Sequence, residues 1–144
     1  MQSVAAPRPV VWEVFCRVMD WPQWNPLVSR TRWPAGGQLS AGGPFSFGIK
    51  LRPLGLPVMI NARVEELVPQ ERVVWTGGWG GIRARHRFSF RDLADGCLVQ
   101  SHEVLTGWGL LPARLLYSPR RLSQLTGQWL GALARQAEAS LRRP

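Results

Sequence analysis

The chain has 144 residues, 45% of them hydrophobic, which is ordinary for a globular protein and enough for one domain with its own core. Its formal net charge is +9, and because Lys50 is the only lysine, the positive charge is almost entirely arginine. This composition excludes a disordered chain, and the sequence contains no apolar run long enough to cross a membrane as a helix.

Cellular location and metal content follow from what the sequence lacks. The first residues show neither the basic region nor the long apolar stretch of a secretory signal, so we expect a cytoplasmic protein. Cys16 and Cys97 lie far apart and lack metal-ligand spacing, which favours two buried free thiols over a disulfide. His86 and His102 have no close partners of the kind zinc requires, so we expect no metal and no cofactor.

The first third of the chain predicts mixed structure. Residues 1–5 are compatible with a short strand, and residues 9–18 carry apolar side chains at helical spacing. The run DWPQWNP at 20–26 predicts one short turn followed by extended chain, because proline fits the start of a turn and disfavours helix before it. Residues 27–33 alternate as a strand, and residues 34–43 form a loop with two Gly-Gly pairs.

Two half-buried strands follow, separated by a turn at 53–57. Their apolar positions are Phe45, Phe47, Ile49 and Leu51 in the first strand and Val58, Ile60, Ala62 and Val64 in the second. Residues 72–76 predict a further strand, and the glycine-rich residues 77–81 predict a flexible connection. This connection lacks the Lys-Ser/Thr pair of a phosphate-binding loop, so we expect no P-loop there.

The sharpest alternation lies in residues 82–91. One face carries Ala84, His86, Phe88 and Phe90, and the opposite face carries Arg83, Arg85, Arg87 and Arg91. Asp95-Gly96 predicts a hairpin that returns as a strand at 97–105. A loop of two or four residues pairs Phe88 with Glu103 and His86 with Leu105, which places Glu103 on the face of His86. A loop of three residues brings His102 to that face instead.

The last element is a long helix at 118–141, with Ser118 as its N-cap and Pro119 in its first turn. One helix face carries Leu122, Thr126, Trp129, Leu130, Leu133 and Ala137. Strands joined by short turns favour antiparallel pairing, and segregated helices favour an α+β fold. We therefore predict one domain over residues 1–144, with a curved antiparallel sheet of about six to seven strands around the C-terminal helix.

Several short motifs, taken in order, carry a family resemblance. They are Ala6-Pro7 with Val11-Trp12, the run at 20–26, VEELVP at 64–69, RVVW at 72–75, HRFSF at 86–90 before Asp95-Gly96, and Glu103 before Gly107. Together they resemble the START-related, polyketide cyclase/dehydrase-like superfamily, also called SRPBCC, over nearly the whole chain. The family's first strand is usually longer than residues 1–5 allow.

The resemblance implies a helix-grip fold, in which seven antiparallel strands curl around the long C-terminal helix and leave a deep, mainly apolar pocket. Members bind lipids, sterols, polyketides, hormones or aromatic compounds, and some are enzymes. We therefore expect this chain to bind an apolar small molecule (a lipid, polyketide or aromatic compound) for transport or sensing. The expected entrance consists of the turn at 53–57, the loop at 77–81 and the segment at 110–117.

Apolar residues of the strands and the last helix are the candidates for lining this pocket. They are Phe45, Phe47, Ile60, Ala62, Trp75, Phe88, Phe90, Leu125, Trp129 and Leu133. The alternative is that they fill a solid core, since apolar stripes serve both purposes.

His86 and Glu103 are the candidate polar residues of the pocket. They are suited to orient the polar end of a ligand, or to act as an acid–base pair in a cyclase/dehydrase-type enzyme. For catalysis we favour the alternative of a structural histidine, with Glu103 paired to an arginine. The sequence leaves open whether the protein is an enzyme.

The row of arginines at 83–91 predicts a solvated outer sheet face. Sheets that bind single-stranded nucleic acid combine basic residues with exposed aromatic ones, whereas Phe88 and Phe90 face away from the arginines. We therefore expect no nucleic-acid partner. Transient contact with an anionic membrane is compatible with the charge.

Overall fold

The computed structural model describes residues 1–32, 38–50, 57–116 and 118–142. Seven strands form one sheet with every neighbouring pair antiparallel, in the order β1-β7-β6-β5-β4-β3-β2. The strands are β1 (Gln2–Val4), β2 (Val28–Arg32), β3 (Pro44–Lys50), β4 (Pro57–Val68), β5 (Arg72–Trp79), β6 (Ile82–Leu93) and β7 (Gly96–Thr106). The helices are α1 (Arg8–Cys16), α2 (Trp21–Trp24), α3 (Leu110–Leu116) and α4 (Pro119–Ser140). The predicted α+β architecture is confirmed.

The sheet has two irregularities that bend its strands. The register shifts between Val28 and Arg30 in β2 and between Val64 and Glu66 in β4. A bulge inserts one unpaired residue, which bends the strand and increases its twist. Both bulges therefore help the sheet to curve around α4.

Helix α4 begins where the sequence predicts. The Ser118 hydroxyl accepts a hydrogen bond from the backbone N–H of Arg121 at 3.3 Å, and Pro119 occupies the first turn, where its missing N–H costs no helical bond. The second half of the helix buries Leu130, Leu133 and Ala137 against the sheet and α1. The predicted apolar stripe is thus the buried face of α4.

The short first strand closes one edge of the sheet. Strand β1 pairs with β7 through Val4 and Cys97. The Glu138 carboxylate on α4 accepts a hydrogen bond from the backbone N–H of Ala5 at 2.9 Å, so the strand is tied to the helix as well as to the sheet. The cysteines, Cys16 and Cys97, are both free and buried, as predicted.

The glycine-rich stretch at 77–81 corrects one prediction. Strand β5 continues through Gly77 and Gly78 to Trp79, and only Gly80 and Gly81, both at positive φ, make the turn to β6. A Cβ on Gly77 would lie 2.8 Å from the backbone oxygen of Asn61, so close packing against β4 requires glycine here. Backbone pairing on both sides thus holds Gly77 and Gly78 in the sheet.

The other expected entrance segments are described in part. The segment at 110–117 forms helix α3 as far as Leu116, with Pro112 in its first turn. The turn at 53–56, together with Trp33, Leu51, Arg52 and Tyr117, lies outside the described residues.

Candidate functional site

The candidate polar residues lie in one row across three strands. In the register of β5, β6 and β7, Trp75 pairs with His86 and His86 pairs with Glu103. Paired residues of neighbouring strands share a sheet face, so these three side chains lie on the inner face, toward the helices. His102 pairs with Arg87 on the outer face.

The predicted pairing of β6 with β7 is therefore wrong by two residues, although the predicted face of Glu103 is right. Leu93 pairs with Gly96, which leaves a loop of Ala94 and Asp95. Glu103 lies directly opposite His86, and Phe88 lies opposite Ser101. Because the side-chain period of a strand is two, a shift of two residues keeps each side chain on its face.

His86 is held by one hydrogen bond and two rings. Its Nε2 atom lies 2.7 Å from the Oγ atom of Ser101. Its ring stacks on Phe88, with ring centroids 4.3 Å apart, and lies 5.6 Å from the ring of Trp75. Burial, helped by the charge of nearby His102, lowers the pKa of His86 to about 4. At neutral pH the imidazole is therefore uncharged.

Ser101 is the site residue that sequence reasoning missed. It is half-buried and shares the inner face with His86, one position diagonally away across the ladder. A single serine in a half-buried strand is common, so residue type alone gave no signal. Its place beside His86 follows from the loop at Ala94 and Asp95, which lies one residue earlier than Asp95-Gly96 predicts.

Glu103 lies at the open end of this row. Its side chain is exposed, yet neighbouring protein atoms remove enough water from it to raise the pKa of its carboxyl group. Within the described ranges it has neither an ion pair nor a hydrogen bond, so the expected alternative of pairing with an arginine is not observed there. Its oxygens are therefore available to a ligand.

Seven of the ten apolar candidates lie in the densely packed core rather than at an open surface. They are Phe45, Phe47, Ala62, Trp75, Phe88, Phe90 and Leu133. Phe15 of α1 lies at the centre of this core, with its ring centroid 4.9 Å from Phe88, 5.6 Å from Trp129 and 5.9 Å from Trp75. Rings at these separations form a continuous aromatic cluster.

Three candidates remain half-buried: Ile60, Leu125 and Trp129. The Trp129 ring lies 5.5 Å from Phe88, which fixes where α4 crosses the sheet. Leu125 and Leu122 lie one and two turns before Trp129 on the same helix face, so they continue beyond the aromatic core. We use the name inner groove for the half-buried and exposed inner-face residues beyond this core: Ile60, Ala84, His86, Ser101, Glu103 and Leu105 of the sheet, with Leu122 and Leu125 of α4.

Small side chains form one row in this part of the sheet. Ala62 pairs with Gly77, Gly77 with Ala84, and Ala84 with Leu105, so one row of the inner face carries three residues with little or no side chain. The adjacent row contains Trp75, His86 and Glu103. Next to the polar residues, the inner face of the sheet therefore changes from large aromatic side chains to small ones.

Two open surface depressions, each of about 400 Å³, lie elsewhere. One is bordered by Gly81, Arg83 and Thr106, and the other by Pro7, Asp92 and Gly96. Neither borders His86. Both depressions are open rather than enclosed, and the deep pocket between the sheet and α4 stays a prediction.

The outer face of the sheet carries the arginine row, as predicted. Arg85 donates a hydrogen bond to Glu65 at 2.9 Å, and Arg72 donates one to Glu66 at 2.9 Å. Hydrogen bonds from Thr76 and Arg85 lower the pKa of Glu65. These carboxylates offset part of the positive charge of this face.

Neither metal binding nor membrane crossing has structural support in the described ranges. They contain no group of three or more His, Cys, Asp or Glu residues arranged to hold a metal ion. Among the described helices, none is both long and apolar enough to span a membrane.

Solved structures with low sequence identity share the fold. The di-domain aromatase/cyclase StfQ of the steffimycin biosynthetic pathway aligns with a TM-score of 0.78 at 15% identity, over 99% of this chain and 50% of its own. The Zhui aromatase/cyclase from Streptomyces sp. R1128 aligns at 0.73 and 17% identity, over 97% of this chain and 92% of its own. A START superfamily protein from Mycobacterium smegmatis aligns at 0.69 and 18% identity, over 98% and 93%.

The sheet order, the long terminal helix and these similarities define a helix-grip fold. The model of one family within this class, described as polyketide cyclase/dehydrase and lipid transport, matches residues 2–138. The chain belongs to that family. A comparison with curated proteins gives no match.

Proposed function

We propose that the protein binds an apolar small molecule, a lipid, polyketide or aromatic compound, in the inner groove. The observation that carries this proposal is the juxtaposition of small and half-buried apolar side chains with the polar row of His86, Ser101 and Glu103. Ligand sites are mostly apolar and contain a few polar groups that fix orientation, and the inner groove has this composition. Membership of a family described as including lipid transport supports the same class of ligand.

The binding mechanism would combine apolar burial with polar orientation. Covering the methyl groups of Ile60, Leu105 and Leu125 removes apolar surface from water, at about 25 cal/mol per Å² before the costs of association. A hydroxyl or carbonyl group of the ligand would bond to Ser101 or to the uncharged imidazole of His86. Glu103 would accept a bond from a ligand hydroxyl at the solvent side.

Filling the inner groove tests this proposal. Ala84→Phe adds a ring between Gly77 and Leu105 on the inner face, whereas Val104→Phe adds the same ring on the outer face, one residue from Leu105. Native mass spectrometry of the purified proteins, followed by solvent extraction, would measure bound small molecules. We expect occupancy in the wild type and in Val104→Phe, and its loss in Ala84→Phe. Equal occupancy in the two variants, or none in the wild type, would reject the proposal.

A second function, cyclisation or dehydration of a polyketide-like substrate, is favoured by the pairing of His86 with Glu103 alone. In that reaction the imidazole would remove a proton from a carbon between two carbonyl groups, and the carboxyl group would protonate the departing hydroxyl as water. However, a pKa of about 4 makes His86 a weak base at neutral pH, and Glu103 is open to water. Ligand binding is therefore the primary proposal.

The catalytic alternative has its own test. His86→Gln alters the inner face of the sheet, and His102→Gln makes the same change on the outer face. Turnover of a poly-β-ketone thioester should therefore be lost in His86→Gln and kept in His102→Gln. Turnover by His86→Gln at the wild-type rate would exclude the acid–base role while leaving ligand binding intact.

A further inference from the structure

Large apolar side chains are exposed at one end of the sheet, where β5 turns into β6 and β7 leads into α3. Trp79 is 55% exposed, Trp108 77%, Leu111 75% and Leu115 88%. Single exposed apolar residues are ordinary, but four large ones on adjoining segments mark an interaction surface. We call these four residues the apolar end.

Backbone contacts hold the two parts of the apolar end together. The backbone N–H of Gly109 donates to the backbone oxygen of Gly81 at 3.2 Å. A Cβ on Gly81 would lie 2.3 Å from the Trp108 ring, so this ring covers the β5–β6 turn that follows Trp79. Leu111 and Leu115 are four residues apart on α3 and therefore project from the same helix face.

The charged residues that adjoin the apolar end in sequence are positive. Arg83 follows the β5–β6 turn, and Arg114 lies between Leu111 and Leu115 on α3. Residues 104–121 contain no Asp or Glu. Arg83 and Arg114 are exposed beside the apolar side chains. An apolar surface with an arginine rim matches the layered chemistry of a bilayer whose headgroups are anionic.

We propose that the apolar end docks on the surface of an anionic phospholipid bilayer. Trp108, Leu111 and Leu115 enter the boundary between headgroups and acyl chains, where tryptophan is favoured because its ring is apolar and its N–H is polar. Arg83 and Arg114 contact lipid phosphates. The inference goes beyond the proposed ligand and does not depend on it, because vesicles without any added ligand report docking directly.

A vesicle flotation assay tests this docking. The probes are vesicles of phosphatidylcholine alone and of an equimolar mixture of phosphatidylcholine and phosphatidylglycerol. Wild-type protein should float with the mixed vesicles, release at high salt, and stay behind with phosphatidylcholine alone. The double variant Leu111→Ser/Leu115→Ser should bind the mixed vesicles at least about tenfold more weakly, because two apolar side chains no longer enter the bilayer.

Matched controls separate docking from general loss of structure or charge. Leu93→Ser changes an exposed leucine at the opposite end of β6 and should bind like the wild type. Arg114→Gln should weaken binding about fivefold, whereas Arg91→Gln, far along β6, should change it less. The substituted side chains are exposed, so circular dichroism should be unchanged.

Two outcomes would overturn the proposal. One is equal binding of the wild type and Leu111→Ser/Leu115→Ser to the mixed vesicles. The other is absence of wild-type binding to those vesicles. Salt-dependent binding of a single-stranded RNA that the leucine substitutions leave unchanged would then assign the arginines to nucleic acid.

Discussion

The imidazole of His86 and the hydroxyl of Ser101 are joined by a hydrogen bond of 2.7 Å across strands β6 and β7. The bond lies at the boundary between the aromatic core around Phe15 and the smaller residues of the inner groove. It places a polar pair where an apolar ligand would end, and it fixes the histidine ring against Phe88. The proposed function depends on this position.

The stability of the protein should fall as the pH decreases from about 6.5 to about 4, the interval between the ordinary pKa of His86 and its value in the folded protein. In that interval the unfolded chain takes up a proton that the buried imidazole does not. The contribution of His86 to the free energy of unfolding is therefore full above the unfolded pKa and is lost as the pH decreases toward the folded pKa. The expected loss is up to about 3 kcal/mol in the free energy of unfolding. Urea denaturation over this pH range measures it.

Two variants isolate this effect from the general response of the chain to acid. His86→Gln cannot be protonated, so its stability should vary less over the same interval. His102→Gln removes only the smaller cause of the lowered pKa of His86, so it should keep most of the pH dependence. Glu103 acts in the opposite direction, since its raised pKa favours the folded state at low pH, but its exposure keeps the effect small. If the stability of His86→Gln varied with pH as much as that of the wild type, the pKa of His86 would not be lowered by folding.

Phe15→Ala should lower the free energy of unfolding by about 3 to 5 kcal/mol. The Phe15 side chain is fully buried and its ring lies within 6 Å of five other rings: Trp21, Trp75, Phe88, Phe90 and Trp129. Removing it opens a cavity that neighbouring rings cannot fill. Chemical denaturation measures the loss, with Leu115→Ala on the exposed face of α3 as the control, at about 0.5 kcal/mol or less. Similar costs for both variants would contradict the packing described.

Gly81→Ala should destabilise the protein more than Gly80→Ala. Both residues have positive φ, 76° and 58°, so both substitutions incur about 1 to 2 kcal/mol of backbone strain. A Cβ at position 80 meets nothing within 4 Å, whereas one at position 81 would displace the Trp108 ring. Melting temperatures and tryptophan fluorescence compare the two variants. Identical losses, with no change in fluorescence for Gly81→Ala, would mean that Trp108 does not pack on this turn.

Much of the architecture could be predicted because alternation is a strong signal. The two-residue period of 82–91 assigned His86 to the inner face and the arginines to the outer face, and the stripe on 118–141 identified the buried face of α4. The predicted pairing of β6 with β7 is wrong by two residues, since Asp95-Gly96 marks a turn without fixing which residues form its loop. The weak intrinsic strand preference of Gly77 and Gly78 predicts a loop, but backbone pairing on both sides holds them in β5.

The candidate site was harder to predict than the fold. Apolar faces that fill a core and apolar faces that line a pocket have the same pattern, so Phe90 and Leu133 could not be told apart from Ile60 and Leu125 before packing was known. Ser101 gave no signal because its role comes from the residue diagonal to it. Alternation in the sequence shows on which face of the sheet a side chain lies. The position of α4 determines which side chains of the inner face stay accessible.

Methyl NMR of the protein during titration with a ligand tests the central proposal most directly. Suitable probes are palmitate, as a lipid, and an anthraquinone, as an aromatic compound. If the inner groove is the binding site, the methyl signals of Ile60, Leu105, Leu122 and Leu125 should shift with at least one probe, while Val104 on the outer face should not. Shifts confined to Val104 or to Leu111 and Leu115, or no shift with either probe, would contradict binding in the inner groove.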